Sequence, residues 1–206
     1  MALEALQSNL AACLLTALRD RSTPAEEFRR LSRAITHVLI AEATRDLSVT
    51  HVEVQTPLEP ARGAELQRGV VLAPVLRAGL GMLDAALEML PRASVGFVGL
   101  ERDEATAVAS CYYCKLPEVE GRTALMLDPM LATGGSAAWA AQRLYESGAA
   151  EVRLLCIVAA PEGVERLAES FPQLRIFAAA LDRALDERKY ILPGLGDFGD
   201  RLFGTA

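Results

Sequence analysis

The stretch ALMLDPMLATGGSAAWAAQRL, residues 124–144, carries an apolar run up to Asp128, a turn of small residues, and then an alanine-rich segment with helical spacing. Gly134 and Gly135 permit positive φ angles and close backbone approach. Thr133 and Ser136 add hydroxyl donors beside a helix N-terminus with its partial positive charge. Such a turn suits a phosphate dianion. It lacks the lysine of a G-x-x-x-x-G-K-[ST] loop, which argues against an ordinary triphosphate-hydrolysing site. Asp128, about four residues earlier, is spaced to meet the hydroxyls of a sugar whose 5-phosphate fills the turn. A plain strand-to-helix connection, with Ser136 as helix cap and Asp128 as a strand-end polar residue, accounts for the same residues. On the residues alone both readings stay open.

Outward from this stretch, short apolar runs of strand length recur at 69–76, 93–100, 123–128, 152–160 and 174–181. Helical patterns lie between most of them, at 81–90, 136–148 and 163–171. Strand, helix, strand at this spacing predicts an α/β fold with a mostly parallel sheet covered by helices. Residues 1–47 read as a helical N-terminal arm, with Thr23, Pro24 and the acidic residues after them as a helix start. A short polar segment follows. Residues 101–122 break the rhythm and read as an extended hairpin or mobile flap. The chain of 206 residues is read as one domain.

In a sheet of this kind ligands gather outside the carboxyl ends of the strands. PVLRAGLGM, residues 74–82, follows a strand and offers Arg77, whose guanidinium fork suits a phosphate or diphosphate. An arginine that merely reaches solvent is the plain alternative. Two anion-suited turns favour one ligand with two phosphate groups. The tail contains G-x-G-x-x-G at Gly194, Gly196 and Gly199, but the chain ends seven residues later, so it is no dinucleotide fingerprint. It reads as an irregular segment, residues 186–206, whose backbone groups line a small polar pocket with Asp197 and Asp200 nearby.

Composition narrows the classes further. Apolar residues make up 51% of the chain and the mean hydropathy is positive, which favours an oligomer. The net charge of −6 argues against nucleic acid as the main partner. No apolar run is long enough to span a membrane. Glu4 stands where a signal peptide carries basic residues, so the expected location is the cytoplasm. Cys111 and Cys114 have C-x-x-C spacing, but His37 and His51 are too distant in sequence to complete a zinc site.

Together, LMLDPMLATGGS, PVLRAGLGM, CIVAAPEGV, FRRLSRAITHVLIAEATRDL, KLP and YILPGLGDFGDRLFGT resemble the uracil phosphoribosyltransferases over nearly the whole chain. The resemblance implies a type I phosphoribosyltransferase fold that joins uracil to 5-phosphoribosyl 1-diphosphate (PRPP), giving UMP and diphosphate. It implies that Asp128, Pro129, Met130, Leu131, Ala132, Thr133, Gly134, Gly135 and Ser136 bind PRPP, Asp128 at the ribose hydroxyls and residues 132–136 at the 5-phosphate. Arg77 and Arg102 would contact the diphosphate and, with Asp128, form the catalytic set. Uracil would be read at Ile191 and at Gly196, Asp197 and Phe198, with Asp197 also touching PRPP.

Pro129 takes the place of a second acid, so the implied magnesium ion, Mg2+, would be held mainly through PRPP and water. No His or Lys stands where it can be assigned to take the N1 proton of uracil. A homodimer or larger assembly and a GTP effector are further implications of the resemblance. Two positions depart from the family pattern. Phe198 stands where a small residue is common, and the flap sequence EATAVASCYYC is unusual. A phosphoribosyltransferase for another nucleobase, and a regulator of the same fold that binds RNA, are the competing readings.

Overall fold

The computed structural model describes residues 3–102 and 109–205. Its strands are β1 (Leu3–Ala5), β2 (Val49–Gln55), β3 (Pro60–Leu66), β4 (Val70–Leu76), β5 (Ser94–Val95), β6 (Phe97–Arg102), β7 (Ala109–Lys115), β8 (Thr123–Leu127), β9 (Met130–Leu131), β10 (Glu151–Ala159), β11 (Arg175–Leu181), β12 (Ala184–Leu185) and β13 (Ile191–Leu192). The helices are α1 (Asn9–Arg19), α2 (Ala25–Thr44), α3 (Leu80–Met89), α4 (Gly135–Glu146), α5 (Pro161–Ser170) and α6 (Phe198–Phe203).

The main sheet runs β1-β11-β10-β8-β4-β6-β7, with β5 added beside β4 and β9 beside β10. Every pairing in it is parallel except β6 with β7. The strands are continuous apolar runs because both faces are covered. Leu72, Leu125, Leu127, Leu155, Ile157 and Phe177 pack into one layer with α1, α2 and α3. Val71, Ala73, Met126, Leu154, Cys156 and Ile176 point the other way, towards α4 and α5. The period of two in the side-chain directions therefore splits each strand between two cores.

Three departures from the sequence reading have local causes. Leu3–Ala5, read as helix, forms β1 against β11, because Ser8 starts α1 by accepting a hydrogen bond from the Ala11 amide at 3.2 Å. The second arm helix starts at Ala25, with Pro24 at the cap position, while the Thr23 hydroxyl turns back to the Ala17 carbonyl at 2.7 Å. The segment after residue 47 is an antiparallel hairpin of β2 and β3, an exposed two-stranded ribbon with Val52 and Gly63 partly covered where they pair. Thr56 closes its turn by accepting from the Leu58 and Glu59 amides.

The interrupted stretch does form a hairpin, β6 with β7. Its centre, residues 103–108, lies outside the described residues, as do the side chains from 101 to 110. No helix among the described residues is long and apolar enough to cross a membrane.

Candidate active site

At the carboxyl ends of β4 and β8 lies a cleft of about 270 Å³. Val75, Leu76, Arg77 and Ala78 line it from the end of β4, Asp128 and Met130 from the β8–β9 junction, and Ala132 and Ser136 from the turn into α4. Lys189, Tyr190, Ile191, Gly196, Asp197, Phe198 and Gly199 close it from the tail. A larger recess of about 390 Å³ opens at the amino ends of the strands. There Arg153 is bound to Asp46 and Glu151, so its charges are already matched. The chemistry-bearing residues gather at the smaller cleft, the expected end of a parallel sheet.

The turn is built by alternation. Leu127 is the last residue of β8, and Asp128 and Pro129 step out before Met130 and Leu131 rejoin β10 beside Val158 and Ala159. Asp128 faces the cleft and also accepts from the Met130 amide at 3.3 Å, while its own amide is bound to the Leu155 carbonyl. Pro129 and Leu131 are buried, their carbonyls accepting from Ile157, Val158 and Ala160 amides. Gly134 has φ +74°, and a Cβ on it would meet the Gly163 carbonyl at 3.0 Å. A left-handed residue without a side chain is required there. The helix starts at Gly135, so Ser136 lies inside its first turn rather than at its cap.

Burial, and then the charge of Asp128, push the Cys156 thiol up, so it stays protonated at neutral pH. Arg77 enters the cleft after a cis Leu76–Arg77 peptide. Arg102 is the last residue of β6, and its side chain is among those not described.

The tail is more ordered than an irregular segment. Residues 184–192 form a β12–β13 hairpin, and Asp197 caps α6 by accepting from the Asp200 amide at 2.9 Å. Gly194 has φ +59°, and a Cβ on it would lie 2.1 Å from the Ile191 carbonyl oxygen. Arg19 clamps this bend, forming an ion pair with Asp182 at 2.5 Å and donating to the Gly194 carbonyl at 2.6 Å, while Asp182 accepts from the Gly194 amide. Arg201 donates to the Leu18, Leu195 and Asp20 carbonyls and lies over the Phe28 ring. Burial holds its guanidinium below the usual arginine range, against a smaller opposing effect of Asp20. Phe198 is 2% exposed, and its ring meets Phe28 edge-on at 5.2 Å. This aromatic partner comes from α2, far upstream in the chain, while Phe203 in α6 is exposed.

Lys189 and Tyr190 line the cleft although the sequence did not single them out as site residues. Lys189 is the only non-glycine residue with positive φ among the described residues, at +66°. The Asp186 carboxylate fixes the bend by accepting from the Arg188 and Tyr190 amides. That conformation has no signature in a single sequence.

The model of the uracil phosphoribosyltransferase family matches residues 5–205. The chain belongs to the uracil phosphoribosyltransferase family. A curated uracil phosphoribosyltransferase of Halalkalibacterium halodurans is 50% identical over 193 residues, 93% of this chain and 92% of that one. A solved structure of an Aquifex aeolicus protein is 36% identical and superposes with a TM-score of 0.95, covering 99% of both chains. A hypoxanthine-guanine phosphoribosyltransferase of Bacillus anthracis, 8% identical, covers 77% of this chain and 80% of its own with a TM-score of 0.52. That last likeness speaks to the type I phosphoribosyltransferase fold alone.

Proposed function

We propose that this member of the family transfers the phosphoribosyl group of PRPP to uracil in the cytoplasm, forming UMP and diphosphate in pyrimidine salvage. The observation that carries the reading is the convergence of three separate segments on one cleft: Arg77, then Asp128, Met130, Ala132 and Ser136 of the turn, and Ile191 with Gly196, Asp197 and Phe198 of the tail. Under this reading the turn amides and hydroxyls hold the 5-phosphate and Asp128 holds the ribose hydroxyls. Arg77 and Arg102 stabilise the departing diphosphate. Backbone groups at Ile191 and Gly196–Phe198 read the base, and Asp197 also contacts PRPP.

Displacement at the anomeric carbon breaks its bond to diphosphate and forms one to N1 of uracil, with inversion, while the N1 proton passes to water or to the departing diphosphate. Positive charge grows on the ribose near Asp128 as negative charge grows on diphosphate near the arginines, so the carboxylate and the guanidinium groups act where charge develops. Exclusion of water by the 101–122 segment would protect PRPP from hydrolysis.

Among the described residues no group of three or more His, Cys, Asp or Glu side chains could hold a metal ion. Asp128 is followed by Pro129 rather than a second acid, which fits Mg2+ carried mainly by PRPP oxygens and water, an ion that keeps much of its hydration shell. Magnesium would supply charge neutralisation on the diphosphate. The exposed Val49, Val54, Leu58 and Leu66 of the β2–β3 hairpin support an assembly of two or more copies. A GTP effector rests on the family resemblance alone. The direct test follows UMP and diphosphate formation from PRPP, magnesium and each free nucleobase in turn. The reading expects product with uracil, and product only with a purine would overturn it.

A further inference from the structure

The Ala132–Ser136 turn poses a charge problem. A phosphate dianion bound there would meet backbone amides, two hydroxyls and a helix end worth about half a unit charge, but no residue from 132 to 136 is cationic. The missing charge stands next door. Helix α5 packs against the outside of the turn, so closely that a Cβ on Gly163 would lie 2.4 Å from the Ala132 carbonyl oxygen. Arg166, one turn further along α5, sends its stem past Gly134 and its guanidinium to Gly135. From the Cβ position of Gly134 the Arg166 Cδ is 3.5 Å away, and from that of Gly135 the Arg166 Nη1 is 3.5 Å away. Thr133 Oγ1 lies 3.8 Å from the same Gly135 point, so a hydroxyl and a guanidinium converge on one side of that glycine.

The guanidinium is also uncommitted. Glu162 and Glu169 stand four residues before and three after Arg166, spacings that allow ion pairs on a helix. Neither pairs with it among the described residues, and Arg166 makes no other hydrogen bond or ring contact there. Glu162 instead accepts from the Leu185 amide at 3.0 Å. The side chain is exposed, so packing gives no reason for its course along the turn.

We propose that Arg166 is a further binding residue for the 5-phosphate of PRPP, reaching the phosphomonoester beside Thr133 and Gly135. The proposal rests on the reading of the turn as the 5-phosphate subsite. An arginine fork adds charge-assisted hydrogen bonds to phosphate that backbone amides alone do not supply.

The test uses Arg166→Gln and Arg166→Lys in the full chain, titrated with ribose 5-phosphate, which carries the phosphomonoester, and separately with diphosphate, which does not. Arg166→Gln is expected to weaken ribose 5-phosphate binding about tenfold, to raise the KM for PRPP by a similar factor, and to leave diphosphate binding, uracil KM and the thermal midpoint unchanged. Arg166→Lys should recover part of the loss. Wild-type affinity for ribose 5-phosphate in Arg166→Gln would overturn the role of Arg166 while leaving the turn assignment intact. If wild-type protein binds diphosphate but not ribose 5-phosphate, the turn assignment itself falls and the proposal with it.

Discussion

Asp128 stands at the point where β8 leaves the sheet and the phosphate-suited turn begins, facing the cleft. Asp128→Asn removes its charge and keeps its volume. The loss of a charge-assisted contact to the ribose is expected to lower kcat/KM roughly 10- to 150-fold, about 1.5 to 3 kcal/mol, with the thermal midpoint little changed. Steady-state kinetics with PRPP varied would check it, and near-native turnover would remove Asp128 from the site. Phe198 tests a different link, from packing to specificity. Its ring lies in the core against Phe28, so its backbone is free to face the cleft while the side chain stiffens the tail. Phe198→Ala should cost about 3 kcal/mol of stability, within the range for a buried aromatic, and leave the uracil KM unchanged or slightly raised. A marked fall in that KM, or new activity on 5-substituted uracils, would mean that the ring intrudes on the base.

The tail hairpin and α6 are short, with two residues per strand and six in the helix, and the Arg19–Asp182 pair with its two bonds to Gly194 fixes their course. The Asp182 side chain is only 4% exposed. Asp182→Ala would leave Arg19 and the Gly194 amide without their partner, at a cost of about 3 kcal/mol, and uracil KM should rise more than PRPP KM. Denaturant unfolding and kinetics together would show it; equal changes in both KM values would mean the clamp serves the whole cleft rather than its base end. This clamp also marks the limit of what the sequence shows. The parallel strands and their helices were legible because apolar runs and 3.6-residue periods are local. So were the Asp128–Ser136 turn and Arg77, since small residues and a charge at strand ends announce themselves. The Arg19–Asp182 contact joins residues 163 apart, and β1 depends on pairing with β11 at the far end of the chain. Neither leaves a local pattern. The β2–β3 ribbon is hidden in the short polar segment after residue 47, because Pro57, Pro60 and Gly63 interrupt a strand pattern, although Pro60 only opens its strand.

Across the whole molecule, a charge network at the edge of the sheet ties α2, β10, β11 and β1 together. Burial pushes the Asp46 carboxyl up, but hydrogen bonds and charge from Arg153 and Arg175 outweigh that and hold it at about 2, below the ordinary 3.8. A carboxylate depressed in the folded state adds stability above its unfolded pKa and loses it as pH falls through the folded value. Asp46 is half exposed, so solvent screening limits the contribution to on the order of 1 kcal/mol. Asp46→Asn should therefore be less stable than wild type at pH 7, with the gap closing between about pH 4 and 2; a constant gap in denaturant midpoints would contradict it. On the proposed function, one cleft at the carboxyl ends of β4 and β8 reads uracil by tail backbone while the Asp128–Ser136 turn holds PRPP. Uracil offers a carbonyl at the pyrimidine 4-position and cytosine an amino group, so a rigid backbone pocket built for one leaves buried groups unpaired with the other. The most direct measurement is the ratio of kcat/KM for uracil to that for cytosine at saturating PRPP. A backbone reader of uracil is expected to give a ratio that reaches about 10⁴; comparable rates with the two bases would rule that reader out.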